Sequence, residues 1–176
     1  MSGVTRKTVL TALFAALICV VAPFSLQIGP IPISLATLAV YFTASAAELS
    51  VSLPATLVYI LLGGVGVPVF SGFQGGFQKL AGVTGGYIIG YIPCVLTIGL
   101  LLKLSRKKIM LPLSMAAGTA VLYAFGTAWF LVLTGRGIAY ALGVCVLPFL
   151  AGDAAKIAAA SALTVIVGPR LEKIFL

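Results

Sequence analysis

Residues 8–47 run for 40 positions without one charged side chain. That is twice the ~20 apolar residues a helix needs to cross a bilayer, so this part of the chain is read as two crossings, with Gly29, Pro30 and Pro32 marking the turn between them. Further apolar runs cover residues 52–67, with Pro54 expected in a first turn, 82–102, 109–134 and 148–168. Residues that are 61% hydrophobic and only 8% charged exclude an ordinary soluble domain, where about a quarter are charged. A chain of 176 residues holds five to seven crossings and little else. The expectation is a single all-α membrane domain over residues 1–176, with no soluble catalytic or nucleotide-binding unit.

Charge placement decides between crossing counts. With six helices and both termini in the cytoplasm, Arg6, Lys7, Lys103, Arg106, Lys107, Lys108, Arg170 and Lys173 all fall on the inner side. Lys79, Arg136 and Lys156 fall at outer loops or outer helix ends, which is the asymmetry the positive-inside rule requires. The apolar stretch after Arg6-Lys7 is too long for a signal peptide and is read as a retained first helix.

Small residues four apart mark faces where helices approach closely. Gly82, Gly86 and Gly90 on the fourth helix and Ala154, Ala158 and Ala162 on the sixth are read as internal packing. For Ala12 and Ala16 on the first helix, spacing alone leaves both internal packing and a docking surface for another subunit open.

The chemistry available is narrow. The chain has no histidine, which removes the usual nucleophile–base pairs and zinc sites. Cys19, Cys94 and Cys145 stand far apart and read as apolar filler. No metal site, cofactor or enzymatic activity is expected, and the basic residues are not arranged for nucleic acid. Two features remain. Ten of the 20 glycines fall between Gly63 and Gly90, an outer connection between helices three and four that also carries Phe70, Ser71, Phe73, Gln74, Phe77, Gln78, Thr84 and Tyr87. That polar and aromatic mixture suits a small organic ligand, and so many apolar rings are expected to fold back onto the bundle. The second feature is Asp153 and Lys156, roughly 8 and 12 Å inside the outer end of the sixth helix and on one face of it. Ionisable groups at that depth cost about 2.5–3.5 kcal/mol each and mark a functional site facing the interior. Glu48 reads as a wetted turn carboxylate, Arg136 as a loop solubiliser and Trp129 as a residue of the interfacial belt. With no phosphate-binding loop, the chain cannot hydrolyse ATP. It fits a binding protein powered by partners, or alternatively a proton-coupled stand-alone carrier.

Three motifs carry a resemblance: GVPVFSGFQGG and LAGVTGGYIIG within residues 66–90, GPIPISLATLAV at 29–40 and PFLAGDAAKI at 148–157. Together they resemble the BioY family, the biotin-specific S components of energy-coupling factor (ECF) transporters in bacteria and archaea, over essentially the whole chain. The resemblance implies six helices with cytoplasmic termini in the cytoplasmic (plasma) membrane. It also implies biotin capture at the outer face, and uptake driven by a transmembrane T component and a pair of ATP-binding-cassette ATPases. An S component for another vitamin is the alternative within that class. Asp153 and Lys156 match the family's sixth-helix acid and lysine, with Lys156 free to meet either the ureido carbonyl or the valerate carboxylate. Phe70, Ser71, Gln74, Thr84 and Tyr87 match the substrate-covering region, and Ala12 and Ala16 match the docking pattern for the T component. Two positions depart from the family. Ala36 stands where many members have glutamine, leaving helix two without an expected role in the site. Val83 stands where many have proline, a change of backbone stiffness rather than of chemistry.

Overall fold

The computed structural model describes residues 3–26, 31–105 and 107–175, with side chains described through residue 169. Along it run α1 (Gly3–Val21), β1 (Ser25–Leu26), β2 (Ile33–Ser34), α2 (Ala36–Ala46), α3 (Leu49–Gly64), α4 (Phe77–Ala81), α5 (Gly85–Leu104), α6 (Met110–Thr134), α7 (Ile138–Cys145) and α8 (Leu147–Phe175). The expected turn at Gly29 and Pro30, Arg106, and the side chains of Arg170 and Lys173 lie outside the described residues.

Among the described residues, four helical stretches are long and apolar enough to cross a membrane: Gly3–Val21, Gly85–Leu104, Met110–Thr134 and Ile138–Pro169. The helices α2 and α3 are shorter, at 11 and 16 residues. An antiparallel ribbon pairing Ser25 with Ser34 and Leu26 with Ile33 leads into α2. Extended backbone and a short helix can exist at membrane depth only when protein surrounds them. Accordingly α2 is enclosed, with Ala36, Thr37, Ala39, Val40, Tyr41, Thr43 and Ala44 all buried, and it touches α1, α3, α5 and α8. Its hydroxyls at a spacing of four tie it to two neighbours: Tyr41 meets Thr119 of α6 at 2.6 Å, and Ser45 meets Thr164 of α8 at 2.7 Å.

The most extensive contact is between α5 and α6. Glycine on one helix receives a bulky side chain of the other in both directions: Gly86 lies under Trp129, Gly90 against Leu122, Gly118 against Ile98 and Gly126 under the Tyr87 ring. The helix α6 ends at Gly135, whose φ of 63° is the left-handed cap that favours glycine. At the far end of the bundle, Lys7 and Glu48 form an exposed ion pair at 3.2 Å, with Ser50 donating to Glu48. The start of α1 and the α2–α3 turn therefore share one face.

Several expectations need correction. The helix α3 begins at Leu49, so Pro54 falls in its second turn; the carbonyl it leaves unpartnered is that of Ser50, on the exposed side. The short helices α4 and α7 were not foreseen. Ala154, Ala158 and Ala162 face outward, while Asp153, Ala160 and Thr164 are buried. A helix turns about 100° per residue, so the alanine row lies one step round from the face that Asp153 defines. Of the rings between α3 and α5, Phe70 is buried and stands edge-on to Tyr59 at 5.6 Å, whereas Phe73 and Phe77 are exposed.

The α5–α6 interface yields a stability prediction. Gly86→Leu drives a side chain into Trp129 and is expected to destabilise the fold by about 1–3 kcal/mol. Thermal unfolding in detergent should show a lowered midpoint, while Gly143→Ala, at a position with nothing within 4 Å, leaves it unchanged or raised.

Candidate functional site

The helix α8 presents Asp153 and Lys156 one turn apart on its inner face, joined by an ion pair of 2.9 Å between Nζ and Oδ1. Both are removed from solvent, with side chains 5% and 11% exposed for Asp153 and Lys156. Buried charges need further partners, and two other helices supply them. Thr37 of α2 accepts from Lys156 at 2.9 Å and donates to Asp153 Oδ1 at 3.3 Å. Tyr123 of α6 donates its hydroxyl to Asp153 Oδ2 at 2.6 Å. Two of the three ammonium donors of Lys156 are thereby engaged, leaving one for a ligand.

This cluster forms part of the wall of a cavity. Ile31, Pro32 and Ser34 of the ribbon region line one part of it, and Phe70 and Ser71 of the segment between α3 and α4 another. Thr84, Tyr87, Ile88 and Tyr91 enter from α5 and the residue before it; Leu122 and Phe149 complete the apolar wall, and Lys79 reaches in from α4. The cavity wall is rich in aromatic rings and carries the charged, hydrogen-bonding Asp153–Lys156 cluster. It suits a small ligand with apolar faces and a polar edge that both donates and accepts.

The segment between α3 and α5 reaches this position by tight folding. Phe70 and Gln74 exchange backbone hydrogen bonds of 2.8 and 3.2 Å, closing a short turn. Phe70 sits over Gly63, where any larger residue would overlap its ring. The indole of Trp129 donates to the Gly82 carbonyl at 3.1 Å and fixes the end of the segment against α6.

Of the residues singled out in the sequence, Asp153, Lys156, Phe70, Ser71, Thr84 and Tyr87 stand in the cavity wall. Gln74 does not. Its backbone is committed to the Phe70 pairing and its side chain is exposed, so the expected lining role is corrected. Tyr87 contributes its ring rather than its hydroxyl, which already donates to the Cys145 carbonyl at 3.1 Å. Thr37, Tyr91, Tyr123, Lys79 and Phe149 were missed. Helix two, expected to have no role, supplies through Thr37 the hydroxyl between the two charges. Ala12 and Ala16 lie exposed on α1, opposite the buried Leu10, Phe14 and Ile18. Trp129 anchors the segment between α3 and α5 through the Gly82 carbonyl, and Arg136 lies over the Tyr140 ring at 5.2 Å. A separate apolar groove runs along the outside of α6, past Ala120, Ala124 and Ala128 to Leu142 of α7.

Comparison with known proteins identifies the family and the fold. The family model described as the BioY family matches residues 1–173. A probable biotin transporter BioY of Pyrococcus horikoshii is 36% identical over 167 residues, covering 95% of this chain and 96% of the relative. The biotin transporter BioY of Thermotoga maritima is 38% identical over 151 residues, 86% of this chain and 79% of the relative. The fold is similar, with a TM-score of 0.83, to a crystal structure of the S component for biotin from an ECF-type ABC transporter, at 22% identity and over 96% of this chain and 92% of that one. With the family model spanning nearly every residue, the chain belongs to the BioY family.

Proposed function

We propose that this chain is the biotin-binding S component of an ECF-type uptake transporter, with the cavity as its substrate site. The observation that carries this reading is the buried Asp153–Lys156 pair in the wall of an aromatic cavity. The ureido ring of biotin offers two N–H donors and one carbonyl acceptor. Asp153 accepts from the first and Lys156 donates to the second, both as charge-assisted hydrogen bonds. Phe70, Tyr87, Tyr91 and Phe149 cover the faces of the bicycle, and Ser71 and Thr84 add hydroxyls.

The chain crosses the membrane six times in this reading, with both termini cytoplasmic and the segment between α3 and α5 outside. The distribution of basic residues supports that orientation, as does the Lys7–Glu48 pair at one end of the bundle. Energy comes from a T component and a pair of ATP-binding-cassette ATPases. The exposed Ala12 and Ala16 offer the small-residue surface on which the T component would dock.

Calorimetric titration of the detergent-purified chain should show saturable, stoichiometric biotin binding. Asp153→Asn should weaken it by about 1.5–3 kcal/mol; unchanged affinity in folded variant protein removes Asp153 from the site. Thr37→Val should weaken binding by about 1 kcal/mol through the loss of one hydroxyl, and wild-type affinity there would show that Thr37 does not hold the charges in place. Proteoliposome uptake should require the T component, the ATPases and ATP. Uptake by the chain alone, abolished when the proton gradient is collapsed, would favour the carrier alternative.

A further inference from the structure

The charges in the cavity wall do not cancel. Asp153 and Lys156 neutralise one another at 2.9 Å, and Lys79 is a third charged group in that wall. The chain's other two acids are elsewhere: Glu48 pairs with Lys7 at the α2–α3 turn, and Glu172 belongs to the final turns of α8. Among the described residues, no carboxylate lies within ion-pair distance of Lys79. The cavity therefore has a neutral, hydrogen-bonding patch on α8 and a net positive charge on α4.

Lys79 is also held in place. Its backbone N–H bonds to the Gly76 carbonyl at 3.0 Å, and α4 packs against both α3 and α5. The Leu80 backbone lies directly against Gly85, where no side chain would fit. Three residues beyond Lys79, Gly82 is tied to Trp129. A half-buried lysine whose backbone is anchored differs from a cation on a mobile loop, because less backbone freedom remains to be lost when an anion arrives.

Resting on the biotin reading above, we infer that Lys79 binds the carboxylate at the end of the ligand's alkyl chain, while Asp153 and Lys156 hold the ureido head. The cavity then reads its substrate at both ends: one ion pair for the neutral cyclic urea, one cation for the acid. Lys156 is assigned by this division to the ureido carbonyl.

The test compares biotin with biotinamide, which keeps the bicyclic head but lacks the negative charge, by titrating the full chain in detergent. The unmodified chain should prefer biotin by about fivefold to tenfold, the range for a partly buried ion pair. Lys79→Gln should lose that preference by weakening biotin alone, and Lys79→Arg should retain it. Equal affinities in the unmodified chain, or an undiminished preference in Lys79→Gln, overturn the inference while leaving the biotin reading intact. Failure of the unmodified, folded chain to bind either compound overturns the biotin reading and this inference with it.

Discussion

A carboxylate and an ammonium inside an apolar bundle require a protein built around them. Two charges in hydrocarbon are unfavourable by several kcal/mol even when paired, and the pair on α8 satisfies only part of its own hydrogen-bonding capacity. Thr37 and Tyr123 make up much of the rest. Because those hydroxyls come from α2 and α6, the positions of three helices are set around one ion pair. The same three helices are then joined further along by Tyr41 to Thr119 and Ser45 to Thr164. The polar stripe of α2, with a residue every four positions, is thus a structural rail that ends at the Asp153–Lys156 pair in the cavity wall.

The site's remaining walls depend on the α5–α6 pair. Close approach at Gly86, Gly90, Gly118 and Gly126 brings Tyr87 and Tyr91 beside Leu122 and Tyr123. The indole of Trp129 lies in the same interface and reaches over to Gly82. Packing of α5 on α6 and anchoring of the segment between α3 and α5 are therefore one continuous set of contacts. A charged patch whose members are already paired with one another has less freedom to lose when a ligand binds.

What the sequence revealed follows from what makes a signal local. Asp153 and Lys156 were legible because charges in an apolar run are rare and their spacing fixes a common face. Thr37 and Tyr123 were not, because hydroxyls in membrane helices commonly bond to their own helix. Thr56 and Thr97 do so here, to the carbonyls four residues back, and nothing in the neighbouring residues distinguishes the two behaviours. The four-residue ladder of Thr37, Tyr41 and Ser45 was a usable signal that an argument built on charges and glycines passed over. Lys79 read as a loop residue because α4 owes its position to tertiary contacts with α3 and α5. Gln74 read as a ligand donor because composition does not tell which side chains of a tight turn face outward. The alanine row on α8 was assigned inward although Asp153, one step round the helix, already defined a different inner face.

The most direct test of the central claim is a crystal structure of the chain with biotin bound. The account predicts the bicycle between Phe70, Tyr87 and Phe149, with a ureido N–H within about 3 Å of an Asp153 carboxylate oxygen. Biotin seated in the groove outside α6, or in the cavity without contact to Asp153, would contradict it.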